Sequence, residues 1–196
     1  MTQNYYRLLN VPYTLFDKEQ VENICAEAIK QRNNSAGTQI NFRGRKNSLF
    51  NDVAHDWIKS LGCEIMASTI FYSQPRNTTP TILGWHNDGE YGDYTKFNFI
   101  WGSTNHLMLF GEPTGPYPEP VVNRAGTRYT SFKENELKNI VSLQIDKPII
   151  FNGNIPHEIR NFDHNSRWCL SMVINYNGNR LLWNDALNIF KDYIIE

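Results

Sequence analysis

Residues 84–88 read Gly-Trp-His-Asn-Asp and place the imidazole of His86 two residues before the carboxylate of Asp88. Side chains at positions i and i+2 of an extended chain emerge on the same face, so both groups could bind one metal ion. Two ligands provide only half of a metal site. We therefore expect a further ligand from a distant part of the chain.

His157 is the strongest candidate for the third ligand. It follows the turn sequence Phe-Asn-Gly-Asn-Ile-Pro at 151–156 and opens a predicted strand, which would place its imidazole at the rim of a sheet. His106 is a weaker rival. His55 lies within a predicted helix and His164 within a polar turn, and both are interpreted as surface or capping residues.

Two imidazoles and one carboxylate on one side of a metal ion leave three coordination positions open. This donor set is typical of non-haem Fe(II) sites that activate O2. Zinc accepts the same ligands, so the ligand types alone leave the identity of the metal open. His86, Asp88 and His157 are therefore the candidate metal ligands and also the candidate catalytic residues.

Arg167 lies ten residues beyond His157 and begins a long predicted strand. We expect the two strands to form a hairpin with its loop at 162–166, a register that pairs Asn161 with Arg167. The same register pairs His157 with Ser171, and the strand rise then separates Arg167 from the metal by about 13 Å. An arginine side chain covers part of that distance. The remaining gap fits a short dicarboxylate that chelates the metal at one end and binds the guanidinium at the other.

The pattern along the chain is that of a β-rich domain with flanking helices. One helix is predicted to begin after Asp17, which can cap it together with Gln20, and a second to begin after Ser48 and end near Gly62. Strands are expected at 63–73, 96–101, 106–110, 141–145, 148–151, 157–162 and 167–176. A helical turn and a C-terminal helix are expected at 134–140 and 184–194. Short apolar runs separated by Gly, Pro and Asn favour an antiparallel sandwich or barrel.

Length and charge narrow the class of protein. A chain of 196 residues fits one domain, with N-terminal helical decoration (1–62), a β core (63–176) and a C-terminal helix (177–196). The 19 basic and 20 acidic residues nearly cancel, which argues against a dedicated nucleic-acid binder. The sequence has no evident secretory leader, membrane span or cysteine framework. We therefore expect a cytoplasmic protein with a small-molecule or peptide partner.

The ordered set His86-x-Asp88, His157 and Arg167 in a β-rich chain resembles the Fe(II)/2-oxoglutarate-dependent dioxygenases, over roughly residues 63–176. The resemblance implies a mainly β fold with flanking helices, the double-stranded β-helix or cupin-like jelly roll. It also implies iron on the three ligands and 2-oxoglutarate bound to Arg167. In such enzymes O2 cleaves 2-oxoglutarate to succinate and CO2, and an unactivated C–H bond is oxidised, most often by hydroxylation. Ascorbate is the expected reductant in vitro.

One position departs from the pattern of this family. Many members carry a hydroxyl residue two positions after the arginine, where this chain has Cys169. The hydrogen bond to 2-oxoglutarate is then expected from Tyr72 or Ser171, and Asn98 is expected to reach the carboxylate bound to the metal. With Arg167, these three residues are the candidate cosubstrate-binding residues.

Three functional hypotheses follow. The leading one is hydroxylation of a small molecule or of an amino-acid side chain, free or in a peptide. The stretch at 71–90 also resembles the nucleotide-demethylating members, although the nearly neutral net charge gives no phosphate-binding stripe. A cupin-like binding module without enzymatic activity is the third hypothesis. The proline-rich segment 111–128 is either a surface loop or a lid. The residues expected to flank the substrate pocket are Glu90, Tyr91, Tyr94 and Trp101.

Overall fold

The computed structural model of the protein describes residues 5–31, 37–45, 48–75, 84–88, 92–122 and 128–195. Its α-helices are α1 (Lys18–Gln31), α2 (Asp52–Ser60) and α3 (Trp183–Ile189), and short 3-10 helices cover Glu134–Glu136 and Lys191–Tyr193. Its strands are β1 (Tyr6–Leu8), β2 (Gly37–Arg43), β3 (Cys63–Ser73), β4 (His86–Asn87), β5 (Thr95–Trp101), β6 (His106–Pro113), β7 (Val121–Val122), β8 (Arg128–Ser131), β9 (Leu137–Leu143), β10 (Ile149–Asn152), β11 (His157–Asn161), β12 (Arg167–Tyr176) and β13 (Asn179–Arg180).

The strands form two antiparallel sheets. The larger sheet has the order β1-β10-β5-β12-β3-β2, with β13 also paired to β12, and the smaller sheet has the order β7-β8-β4-β11-β6-β9. From β3 to β6, and again from β9 to β12, consecutive strands alternate between the two sheets. This winding is the double-stranded β-helix, or jelly roll, and the fold class expected from the sequence is confirmed.

Strand β12 divides its side chains between the two faces of the larger sheet. Trp168, Leu170 and Met172 are buried in a core to which α1, α2 and α3 contribute from the outside. Arg167 and Ser171 are buried on the opposite face, toward the smaller sheet. The alternation of side chains along this strand therefore places Arg167 in the space between the sheets.

A second apolar core fills part of the space between the sheets. Met108 and Phe110 from β6 pack with Ile149 and Phe151 from β10, and Tyr5 joins them from the N-terminal segment. The ring centroids of Phe110 and Phe151 are 5.7 Å apart. Burial of each large apolar side chain contributes roughly 1.5–3 kcal/mol, and this core therefore fixes one sheet over the other.

The helix boundaries follow from their caps. The Gln20 amide donates to Asp17 Oδ1 at 3.1 Å, and α1 begins directly after Asp17 as predicted. The second helix begins later than the prediction after Ser48. The reason is that Asn51 caps it, because the Asn51 side chain accepts a hydrogen bond from the Ala54 amide at 3.0 Å.

Two expectations about local structure are corrected. The region 1–62, expected to be helical, also contributes β1 and β2, which form the two edges of the larger sheet. The helical turn expected at 134–140 is limited to Glu134–Glu136, and β9 begins at Leu137. Strand β1 is too short, and β2 too polar, for a pattern of alternating apolar residues to predict them from the sequence. Pairing with a neighbouring strand determines their conformation.

The expected hairpin between β11 and β12 is wrong. Strand β11 pairs with β4 and β6 in the smaller sheet, whereas β12 pairs with β3, β5 and β13 in the larger sheet. Asn161 is therefore opposite His106, and Ser171 is opposite Asn98. His157 and Arg167 lie on facing sheets, so the packing of the sheets sets their separation, and the distance of about 13 Å by strand rise does not apply.

Three further features bear on the class of protein. All three cysteines are buried and free. Among the described residues, no helix combines the length and apolar character that a membrane crossing requires. The proline-rich segment 111–128 includes the end of β6 and all of β7, while 123–127 lie outside the described residues, so its role as a lid stays a prediction.

Candidate metal centre

Strands β4 and β11 bring the three candidate ligands together. They pair His86 with His157 across the smaller sheet, and Asp88 directly follows β4. One ligand atom from each residue lies within 4.8 Å of the others. His157 Nε2 is 3.7 Å from Asp88 Oδ2, and the two imidazole rings have centroids 4.5 Å apart. The cluster can hold a metal ion.

Each imidazole is held by the backbone carbonyl two residues before it. His86 Nδ1 donates to Gly84 O at 2.8 Å, and His157 Nδ1 donates to Ile155 O at 2.9 Å. A donating Nδ1 leaves the lone pair of Nε2 free to bind a metal. Gly84 has φ +64°, a backbone conformation in which a residue with a Cβ atom would be strained. Glycine at position 84 therefore allows the backbone conformation in which the Gly84 carbonyl orients the His86 ring.

Asp88 forms an ion pair with Lys96 of β5. Lys96 Nζ lies 3.2 Å from Asp88 Oδ2, the oxygen that also faces His157. Burial by itself would raise the pKa of Asp88, but Lys96 and the two imidazoles outweigh it and lower this pKa to about 2. Burial lowers the pKa of His157 to about 4, and His86 acts in the same direction. At neutral pH the cluster therefore presents an ionised carboxylate and a neutral His157, the forms that bind metals.

Backbone contacts fix the position of Asp88. Its amide donates to Gly153 O at 2.9 Å, and the Tyr94 hydroxyl donates to Asp88 O at 3.2 Å. A Cβ atom at Gly153 would lie 3.1 Å from the Tyr94 ring. Glycine at 153 therefore lets the Tyr94 ring lie against the turn that carries the ligand.

Arg167 is the largest fully buried side chain of the described residues, with 1% of its surface exposed. Its Nε and Nη2 atoms have no hydrogen-bond partner in the described part of the chain, and its guanidinium contacts the Cys169 thiol. Burial lowers the pKa of Arg167, yet a guanidinium keeps its charge in proteins. A buried cation with unpaired donors is destabilising unless an anion binds it.

Asn98 and Ser171 lie on the same face as Arg167 and are directly opposite each other on β5 and β12. Both are buried, and neither Asn98 Oδ1 nor Ser171 Oγ has a hydrogen-bond partner among the described residues. In register they lie between Lys96, which contacts Asp88, and Arg167. The structure therefore brings three of the four predicted cosubstrate-binding residues onto one polar stretch inside the jelly roll.

Tyr72, the fourth of those residues, lies on the other face of the larger sheet. It is opposite Trp168, their ring centroids are 4.7 Å apart, and its hydroxyl forms a 2.9 Å hydrogen bond with Ser166 Oγ. Trp101, expected to flank the pocket, also stacks on Trp168, at 5.9 Å. Both side chains belong to the core under the helices, which corrects their expected position. Outside the described residues lie Glu90 and Tyr91.

Sequence reasoning misses Lys96, and the structure excludes the weaker candidate His106. His106 is not part of the metal cluster. It is buried on the smaller sheet, its Nδ1 donates to Ser103 O at 3.1 Å, and its Nε2 has no partner among the described residues. Burial, and secondly the charge of Arg167, lower the pKa of His106 to about 4. A signal for Lys96 exists in the sequence, because Lys96 and Asn98 alternate with phenylalanines along β5 and so share its inner face.

Comparison with protein-family models finds no match, and comparison with curated proteins finds none either. Several solved structures are similar to the chain. The structure of E. coli ycfD is 9% identical, with 85% of this chain covering 49% of that chain at a TM-score of 0.43. The non-haem alpha-ketoglutarate-dependent carbocyclase SnoK from nogalamycin biosynthesis is 11% identical, with coverages of 90% and 84% and a TM-score of 0.46.

A third similar structure is an oxidoreductase of the 2OG-Fe(II) oxygenase family from Burkholderia pseudomallei, which is 11% identical, with 87% of each chain covered and a TM-score of 0.40. The present chain spans about half the length of ycfD. With TM-scores below 0.5, none of the three superposes closely on this chain. In its strand order and its His-Asp-His cluster, the chain is a jelly-roll protein that resembles the Fe(II)/2-oxoglutarate-dependent oxygenases.

Proposed function

We propose that the protein is an Fe(II)- and 2-oxoglutarate-dependent oxygenase that hydroxylates an unactivated C–H bond of a small molecule or a peptide side chain. The observation that carries the proposal is Arg167, a buried guanidinium with unpaired donors on the sheet that faces the His-Asp-His cluster. A ligand that joins the two must carry a chelating group at one end and an anion at the other. 2-Oxoglutarate has both.

His86, Asp88 and His157 would hold the iron. An iron ion bound there would supply sites for a chelating keto acid and for the activation of O2. Asp88 is ionised at neutral pH, because Lys96 and the imidazoles outweigh the effect of burial and lower its pKa. The backbone carbonyls that accept from both Nδ1 atoms keep each Nε2 atom available as a ligand.

Arg167 would bind the distal carboxylate of 2-oxoglutarate through its guanidinium. Ser171 Oγ and the Asn98 side chain, which lie in register between Arg167 and the metal cluster, would donate hydrogen bonds to the cosubstrate. Ser171 then supplies the hydroxyl that Cys169 lacks. Tyr72 has no part in this proposal, because its hydroxyl bonds to Ser166 on the other face of the sheet.

Aromatic side chains shield one side of the cluster from water. The Phe151 ring packs edge-on against the His157 ring at 5.0 Å, and the Phe110 ring lies 6.3 Å away. Both belong to the core between the sheets. Exclusion of water strengthens the electrostatic contacts of Asp88 and protects reactive species from side reactions.

The test is consumption of 2-oxoglutarate. With Fe(II), ascorbate and air, the protein should release succinate slowly even without a prime substrate, and His157→Ala should abolish the release. His164→Ala, which changes an exposed histidine outside the cluster, is the matched control and should behave as the unchanged protein. Absence of succinate from the iron-loaded unchanged protein would contradict the proposed function.

Metal analysis tests the cupin-like binding module in parallel. The oxygenase is expected to develop a weak visible absorption when Fe(II) and 2-oxoglutarate are combined without air, because a chelating keto acid creates a charge-transfer transition. A colourless protein that retains zinc and gives no such absorption with iron would favour the non-enzymatic module.

A further inference from the structure

A cavity of about 700 Å³ lies on the inner face of the larger sheet. Strands β2, β3, β12 and β13 and the turns at Gly44 and Gly178 line it. Thr69 and Val173 in its wall are on the same face of the sheet as Ser171 and Arg167, so the cavity continues the inner surface that carries the candidate cosubstrate-binding residues. Its volume is that of a pocket for a small organic molecule.

The lining of the cavity combines apolar and polar side chains, and its charged members are both cationic. Arg43 and Arg180 both contribute to it, and carboxamides from β2, β12 and β13 supply much of the remaining polar surface. Among the described residues that line the cavity, none is acidic. A guanidinium such as that of Arg180, in a lining with no carboxylate among the described residues, favours an anionic occupant.

Arg180 connects this cavity to the metal cluster. Its guanidinium carbon lies 4.8 Å from the centroid of the Tyr94 ring, and Lys96 Nζ lies 5.6 Å from the same centroid. The Tyr94 hydroxyl donates to the backbone oxygen of Asp88. A group held by Arg180 is therefore separated from the metal ligands by one aromatic ring. This position is distinct from that of Arg167, since Arg180 is opposite Asn175, eight residues further along β12.

Arg180 has capacity for a further partner. Its Nε atom is buried without a hydrogen-bond partner, and Arg180 takes part in no ion pair among the described residues. Its contact with Tyr94 is a cation–π interaction, which restricts the guanidinium without using its N–H donors. Arginine held in this way is preorganised to bind a carboxylate or a phosphate.

We propose that this cavity binds the prime substrate and that the substrate is a small organic anion whose carboxylate or phosphate group pairs with Arg180. The identification of the bound molecule as a substrate rests on the proposed oxygenase function. The anion site is inferred independently, from the cavity and its charges. The anion would place the remainder of the molecule beside Tyr94, next to the cluster at which a C–H bond is oxidised.

The test measures binding on zinc-loaded protein with saturating 2-oxoglutarate, which occupies the Arg167 site without turnover. Ligand-observed NMR gives Kd for 4-bromobenzoate against 4-bromobenzamide, and for phenyl phosphate against benzyl alcohol. At least one anion should bind about 10-fold or more tightly than its neutral counterpart, as expected for charge-assisted hydrogen bonds. The carboxylate and phosphate arms identify which anion the site prefers.

Arg180→Met should remove the preference for the anion. Arg45→Met is the matched control, since Arg45 is exposed, pairs with Asp52 and does not line the cavity, and it should keep the preference. Equal affinity for anions and neutral compounds would overturn the inference, as would an unchanged preference in Arg180→Met. Binding of the anions only in the absence of 2-oxoglutarate would overturn it too, because the anions would then occupy the Arg167 site.

A soaked crystal covers the case in which Arg180→Met does not fold. An anomalous bromine peak from 4-bromobenzoate in the cavity, with its carboxylate on Arg180, supports the inference, and a peak elsewhere contradicts it. The two proposals fail separately. Anion binding at Arg180 without any 2-oxoglutarate consumption refutes the oxygenase, whereas consumption without an anion preference refutes the anionic substrate.

Discussion

Replacement of Arg167 by methionine should stabilise the ligand-free protein and at the same time weaken its binding of 2-oxoglutarate. A guanidinium has five N–H donors, of which Nε carries one and each Nη carries two. Nε and Nη2 have no partner among the described residues, so the one N–H of the first and the two of the second are unpaired. Methionine keeps much of the buried volume and has no donor to satisfy.

The magnitude follows from those unpaired groups. At about 1 kcal/mol each, the lower end of the usual range, their removal stabilises the folded state by about 3 kcal/mol. The shorter methionine leaves a void, which costs about 1 kcal/mol. The net gain of about 2 kcal/mol corresponds to a rise in Tm of roughly 4–8 °C for a chain of this length. Loss of two charge-assisted hydrogen bonds weakens 2-oxoglutarate binding by about 10²-fold or more.

The assay combines calorimetric melting without ligand with titration of 2-oxoglutarate into zinc-loaded protein. Arg160→Met is the control. Arg160 forms ion pairs with Glu158 at 2.6 Å and with Glu134 at 3.0 Å, so its replacement should not raise Tm and should leave the affinity for 2-oxoglutarate unchanged. A lowered Tm together with an unchanged Kd in Arg167→Met would show that the guanidinium serves the fold and would refute the reasoning.

Further predictions concern pH, the metal and the turn before β6. Burial lowers the pKa of His106 from 6.5 to about 4. The stability that neutral His106 contributes is therefore present above pH 6.5 and is lost as the pH falls toward 4. His106→Gln should weaken the pH dependence of the free energy of unfolding, measured in urea. Lys96→Met should tighten zinc binding by about 10-fold, because Lys96 competes for the same Asp88 oxygen and repels a divalent cation; weaker binding in a competition titration would show that Lys96 instead positions Asp88. Gly102→Ala should destabilise the protein by about 2–4 kcal/mol in urea titrations, because Gly102 has φ +92° and a Cβ atom would collide with the Ser166 carbonyl oxygen; an unchanged midpoint would contradict this.

The long strands and the metal cluster were accessible from the sequence for physical reasons. Strands β3 and β12 have the bounds that their residue pattern predicts, since an unbroken run of 10 or 11 β-forming residues leaves little ambiguity. The cluster was recognisable because two-residue spacing on an extended segment puts His86 and Asp88 on one side. The structure then places His157 directly opposite His86.

The assignment of each strand to one of the two sheets could not be predicted from the sequence. Nothing in residues 157–176 specifies whether the chain turns back beside β11 or crosses to the other sheet, because both routes bury the same alternate side chains. Strand β4 has two residues, and its pairing with β11 and β8 defines it. The ion pair of Lys96 with Asp88 likewise depends on the crossing between sheets. Non-local pairing therefore accounts for the strands and contacts that pattern reasoning misses.

In the proposed oxygenase, the distribution of the site between the two sheets would determine which keto acids bind. The smaller sheet carries the candidate metal ligands and the larger sheet carries Arg167, so the gap between the sheets would set the length of a ligand that joins them. Met108 and Phe110 on one side and Ile149 and Phe151 on the other determine that gap. Homologues of the five-carbon diacid that are one methylene shorter or longer would fit it poorly, and enlarging or trimming these spacer side chains would shift the preferred length.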